Sequence, residues 1–239
     1  MWVTAHVARL VAWDRMHQCD QKGQVWKQRR QHMLTASAIA TALDQNPYET
    51  RDNLIKQYAG VGKPSFSGNV ATRHGEQYED DAVELFEKQT GKTVLTFGLM
   101  PFFGRQYMYL GGSVDGITAC GELVEVKCPY RRKPNGCVPS YYAPQIQSLM
   151  CGLDMRVANF VEYVPESTWV PQYFHVTRVQ RDNDFLTRNY AYLRDFWYRV
   201  CMCRLGADQL CFQPPPREKP VKKRKRTLPL MLQVPATTT

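Results

Sequence analysis

No stretch of the 239-residue sequence holds 18 consecutive apolar residues, so no membrane-spanning helix is expected. No CxxC pair occurs. The eight cysteines (19, 120, 128, 137, 151, 201, 203, 211) are irregularly spaced, and Cys201 and Cys203 fall in a helical pattern poorly suited to zinc. They read as reduced thiols of an intracellular protein. No internal repeat is visible. The first 20 residues contain no serine, little arginine and no acid before Asp14. Because Val3, Val7, Leu10, Val11 and Trp13 recur there at near-helical spacing, a docking helix is expected rather than a transit peptide.

What is present fits one globular domain: 44% hydrophobic residues, 12% aromatic, and a length that can bury one good core. The net charge of +9 favours a polyanionic partner, but it is unevenly spread. Residues 217–226 carry seven cations against Glu218, or +6, which leaves +3 for everything else. From Gln213 onward three successive prolines, this basic run and a threonine-rich end describe a solvated tail. The expected organisation is an N-terminal helical extension over 1–24, a folded domain over 25–212 and a tail over 213–239.

Helices are expected over 35–43, with Thr35 or Ser37 near the N-cap, and over 75–90, ended by Gly91. Then the period changes. Short β-branched and aromatic stretches at 93–103, 107–118, 122–129, 157–165 and 170–179 are separated by Gly, Pro or Asn, as strands are. A helical stretch ending at Gly152 interrupts them, and a long helix over roughly 182–205 follows. The order predicts an α/β fold on a mixed sheet flanked by helices.

The stretch GELVEVKCPY (121–130) concentrates the chemistry. In a strand, Glu125 and Lys127 share a face while Val124 and Val126 point to the core. Asp115 precedes Glu125 by ten residues, room for a hairpin turn at 119–122 that would set the two carboxylates side by side. Two oxygen ligands on neighbouring strands suit Mg²⁺, with the Val126 carbonyl as a third and water or phosphate completing the shell. Lys127 could orient or deprotonate a water, or neutralise charge developing on a phosphate. A surface ion pair on an amphipathic strand is the plainer alternative. Glu79 opens a helix after Gly75, where acids also match the helix dipole. Gln145 and Gln147 lie on a helix without charged neighbours. Arg29 and Arg30 precede Ser37 at a helix start, which makes either a phosphate clamp or a capped helix beside a solvated arginine.

In order, R-x(6)-S, G-x(3)-E, D-G-x(n)-E-x-K-C-P and Q-x-Q over residues 26–165 resemble the phage lambda exonuclease family, the YqaJ-like viral recombinases of the PD-(D/E)xK nuclease superfamily. The resemblance implies a restriction-endonuclease-like core in which Asp115 and Glu125 bind metal and Lys127 is catalytic. It makes Glu79 the helix carboxylate completing the site on the metal or water side, a further metal ligand beside Asp115, Glu125 and Val126, with Glu76 a less suitable substitute. It puts Gln145 in contact with the lysine, Gln147 on the second Q of Q-x-Q, and Arg30 with Ser37 on a 5′-terminal phosphate; Arg29 is off by one and falls elsewhere on the DNA path. Val114 stands where the superfamily nominally has proline.

The implied activity is Mg²⁺-dependent hydrolysis, with Mn²⁺ substituting, of one strand of duplex DNA from its 5′ end, in recombination, repair or viral genome processing. A structure-specific or nicking endonuclease, or an inactive DNA-binding recombination factor, are the alternatives. Double-stranded DNA ends, a single-strand annealing protein and a trimeric ring of copies are the partners that the resemblance suggests; no membrane is. The run Lys222, Lys223, Arg224, Lys225 and Arg226, flanked by prolines, matches a nuclear-import signal in composition and would suit a eukaryotic host cell.

Overall fold

The computed structural model describes residues 2–17, 23–60, 70–167 and 171–206. The basic tail, with the expected import signal, lies outside the described residues. Among the described residues, seven helices and eight strands run in the order α1 (Ala5–His17), α2 (Gln24–Gln31), β1 (Leu34–Thr35), α3 (Ala36–Ala42), α4 (Arg51–Ala59), α5 (Val70–Thr90), β2 (Val94–Leu95), β3 (Leu99–Pro101), β4 (Leu110–Ser113), β5 (Gly116–Thr118), β6 (Leu123–Lys127), α6 (Ala143–Gly152), β7 (Val157–Val164), β8 (Tyr173–Gln180) and α7 (Phe185–Arg204), with a short 3₁₀ turn at Arg105–Tyr107.

The strands form two sheets rather than one: β2-β5-β6-β7-β8, mixed, and β1-β4-β3. The stretch expected as a single strand over 107–118 divides at Val114–Asp115, with β4 joining one sheet and β5 the other. Close approach explains the division. A Cβ on Gly111 would meet Met33 Sδ at 2.6 Å and the Met100 carbonyl at 2.8 Å, and one on Gly112 would meet Leu149 at 2.6 Å. Glycine there lets α3, α6 and β3 crowd the chain just before Asp115.

Strand β6 sits at the centre of the larger sheet, between antiparallel β5 and parallel β7. Its two faces meet different cores. Leu123 joins the main cluster with Ile117, Phe160 and Leu149, while Val124 and Val126 join Ala82, Phe86 and Val161 under α5. The alternation expected for β6 is present, but the strand is buried from Leu123 to Val126, and only Lys127 is partly exposed.

Helix α1 is part of the main core: Val7 and Leu10 are fully buried, His6 Nε2 lies 3.0 Å from the Leu153 carbonyl, and Asp14 accepts from the Gly98 amide at 2.9 Å. Helices α4 and α7 are joined by a buried ion pair, Arg51 to Asp195 at 2.6 Å. The six described cysteines are unbridged, and no described helix is long and apolar enough to cross a membrane.

Candidate active site

The β5–β6 hairpin builds the centre of the site. Thr118 donates its amide to the Glu122 carbonyl at 2.8 Å, and Gly121 turns the chain at φ 91°, a left-handed conformation that glycine adopts without strain. The resulting register pairs Gly116 with Val124, so Asp115 falls opposite Glu125, one step beyond the ladder. Asp115 Oδ2 accepts the Val126 amide at 2.7 Å, which fixes its carboxylate beside the strand.

Glu125 is fully buried. Its Oε1 accepts from Lys127 Nζ and, at 2.5 Å, from Gln145 Nε2 on α6. Its Oε2 is buried and receives no hydrogen bond. Burial pushes the Glu125 carboxyl up, with Asp115 and Glu79 adding to the rise and Lys127 opposing it. Burial works against charge on Lys127 too, yet Glu125 and Asp115 raise its affinity for the proton above the ordinary value. The ammonium also donates to the Val126 carbonyl at 3.2 Å and lies 5.2 Å from the Tyr142 ring centre. Its side chain keeps 21% exposure, so it remains reachable from solvent.

Glu79 lies on α5 one turn before Ala82, on the stripe that continues to Phe86. Its charge reaches Glu125 and also Cys128, whose thiol burial pushes up to about 12. Among the described residues no group of three or more His, Cys, Asp or Glu side chains is placed to hold a metal ion. The oxygen donors gathered at the hairpin are Asp115, Glu125 and the Val126 carbonyl, with Glu79 near enough to act on the Glu125 carboxyl. An orphaned, fully buried carboxylate oxygen crowded by other carboxylates fits a hard divalent cation that keeps several waters.

A second cluster forms where α2 meets α3. Arg30 Nη2 donates to Thr35 Oγ1 and Ser37 Oγ, each at 3.4 Å, and its guanidinium lies 4.4 Å from the Trp26 ring centre. Tyr58, from α4, donates to or accepts from Thr35 Oγ1 at 3.4 Å. Burial lowers the arginine's proton affinity, with Tyr58 opposing the shift. Trp26 is tied to Ser113 at the end of β4 by a 2.8 Å hydrogen bond, linking this cluster to the strand that leads into Asp115.

The structure thus brings together Asp115, Glu125, Lys127 and Gln145, and separately Arg30 with Ser37. Gln145 differs from expectation in detail: it donates to the carboxylate that the lysine shares, not to the lysine. Gln147 is a brace. It donates to the Gln180 carbonyl at 3.0 Å and accepts the Asp182 amide at 2.8 Å, tying α6 to the end of β8. Arg29 donates to the His17 carbonyl, away from Ser37. Thr35, Tyr58, Trp26 and Tyr142 were not anticipated. The four-residue spacing from Trp26 to Arg30 on a helix was the available signal; Tyr58 had none, since it arrives from another helix.

A sequence profile of the YqaJ-like viral recombinase domain matches residues 25–153. Among curated proteins, the chain is 27% identical over 172 residues to "Uncharacterized protein R354" of Acanthamoeba polyphaga mimivirus, covering 64% of this chain and 31% of that one. It is 29% identical over 155 residues to "Protein D345L" of African swine fever virus, covering 54% and 45%. The chain therefore spans less than half the length of these relatives. Among solved structures, an alkaline exonuclease (LHK-Exo) from Laribacter hongkongensis superposes with TM-score 0.60 at 22% identity, over 74% of this chain and 92% of that one. A phage-related exonuclease from Haemophilus somnus superposes with TM-score 0.53 at 16% identity, over 74% and 94%. The fold is that of these exonucleases, and with a domain match over more than half its length the chain belongs to the YqaJ-like viral recombinase family.

Proposed function

We propose that the chain is a divalent-metal-dependent DNA nuclease that degrades one strand of linear duplex from its 5′ end. The observation carrying this reading is the Glu125 carboxylate: fully buried, one oxygen shared by Lys127 and Gln145, the other without a hydrogen bond and beside Asp115. A surface ion pair on an amphipathic strand needs none of these features. Asp115, Glu125 and the Val126 carbonyl would hold Mg²⁺, which when bound lowers the pKa of water and offsets charge on the phosphate. Gln145 and Lys127 hold the Glu125 carboxylate in one orientation. Lys127, partly open to solvent, directs its remaining N–H donor at a water or at a phosphate oxygen. Glu79 adds negative charge at the end of the sheet, where cation or water is to be drawn.

The Arg30–Ser37 cluster supports action from an end. A guanidinium forked across two hydroxyls, half withdrawn from water and stacked on Trp26, is built for a terminal phosphate, which an enzyme cutting internally does not need. The experiment uses end-labelled linear duplex with and without a 5′ phosphate, and covalently closed circles, in Mg²⁺. Mononucleotide release from linear duplex only, faster with the phosphate, is expected. Cleavage of closed circles sinks the exonuclease reading in favour of an endonuclease. A nuclear destination for the chain rests on residues 222–226, and unchanged nuclear accumulation after deletion of 219–226 removes it.

A further inference from the structure

The segment between β6 and α6 carries Tyr130, Arg131, Arg132 and Lys133 directly after the Lys127 strand. Arg131 and Lys133 are exposed, whereas Arg132 is drawn in. Its Nη2 stands 2.6 Å from Glu162 Oε1, with the Glu162 side chain fully buried and that of Arg132 26% exposed. Neither Glu162 oxygen receives a hydrogen bond, so this ion pair compensates the buried charge. Such a pair adds little net stability, because desolvating both ions offsets their attraction.

Its position gives it another use. Glu162 on β7 is in register with Lys127 on β6. Registered neighbours project from the same face about 5 Å apart, so Glu162 leaves the sheet on the Lys127 side and holds the arginine one strand over. The same side carries Tyr141, which feels Arg132, and Tyr142, which lies under Lys127. Resting on the nuclease reading above, we infer that Arg132 binds a backbone phosphate of the DNA strand beside the scissile bond, and that Glu162 is the residue positioning it. A guanidinium has five donors; Glu162 occupies one edge and leaves others to meet anionic oxygen at the open rim. The buried carboxylate holds a mobile cation at a fixed place, which a surface arginine on a loop would lack.

The test measures binding of the full chain to a fluorescein-labelled, 5′-phosphorylated duplex by anisotropy, in EDTA, over a series of KCl concentrations. Arg132→Met alone would strand the Glu162 charge, so it is combined with Glu162→Gln. For that double variant Kd rises about tenfold, and the slope of log Kd against log salt falls by about 0.7–0.9, the loss of one phosphate contact. Arg132→Lys retains the slope. A double variant with the wild-type slope overturns the inference, whether its melting temperature is unchanged or lowered, since the pair is then only structural. Failure of the nuclease reading shows itself separately, as wild-type chain that binds duplex but hydrolyses none in Mg²⁺.

Discussion

At the scale of single residues, Lys127 and Glu125 cannot be separated by simple truncation. Removing the lysine entirely leaves a buried carboxylate short of a donor, which costs stability as well as activity. Lys127→Gln keeps a hydrogen-bond donor and removes the charge. We expect it to lower kcat by about 10²–10³-fold, the usual loss for one transition-state donor, with a smaller drop in melting temperature than outright truncation. Steady-state hydrolysis of linear duplex beside thermal denaturation checks both halves, and an unchanged kcat refutes the assignment of Lys127. Arg30→Gln has a different signature. It removes the cation from the Thr35–Ser37 cluster, so the rate ratio between 5′-phosphorylated and 5′-hydroxyl ends falls toward one while activity on the hydroxyl end persists. Competition between the two substrates in one reaction measures that ratio. The side-by-side placement of Asp115, Glu125 and Lys127 was legible in the sequence because period-two alternation and a ten-residue hairpin gap are local facts, whereas their roles came from the order of the flanking motifs. The partner of Gln145 was not, because a helix docking on a strand end chooses among neighbouring polar atoms by tertiary geometry.

At the scale of elements, Gln145 and Gln147 sit two apart on α6 and do opposite things, since 200° of helical turn separates them. Gln147→Ala loses two hydrogen bonds, to Gln180 of β8 and to Asp182 two residues on, so unfolding free energy drops by about 1–3 kcal/mol with kcat intact. Gln145→Ala takes one of two donors from the buried Glu125 Oε1 and so lowers kcat as well as stability, whereas Gln147→Ala spares kcat; urea titration and hydrolysis rates on both variants distinguish them. The buried Arg51–Asp195 pair between α4 and α7 makes a further case. Arg51→Ala leaves Asp195 charged in the core and destabilises by about 3–5 kcal/mol, measured by denaturant unfolding. Helix α4 went unanticipated although its signals were present: Thr50 caps the Asn53 amide at 3.3 Å and Gly60 ends it at φ 75°. Nine residues carrying three buried side chains give too weak a stripe to stand out. The split of β4 from β5 was illegible for another reason. It follows from what packs on Gly111 and Gly112, and those partners are remote in sequence.

At the scale of the whole molecule, the family match begins at residue 25, yet the core does not. Helix α1 inserts Val7 and Leu10 and contacts the hairpin that orders the site: Thr4 donates to the Ala119 carbonyl at 3.1 Å, and a Cβ at Gly121 would lie 3.7 Å from Val7. That hairpin sets the register placing Asp115 opposite Glu125. The helix expected from the spacing of Val3, Val7 and Leu10 is therefore connected to the carboxylates through a single turn. Deleting residues 1–17 removes two fully buried side chains, Val7 and Leu10, from the core, a loss of about 3–6 kcal/mol at 1.5–3 kcal/mol each. For a domain of this size the melting midpoint falls by about 6–24 °C. Hydrolysis should weaken even well below that midpoint, because the hairpin loses its support before the sheet does. Calorimetry and a rate measured at low temperature together decide it. A truncated chain with full activity in the cold would make α1 a stabiliser only, and coupling from α1 through the hairpin to the metal ligands would be abandoned.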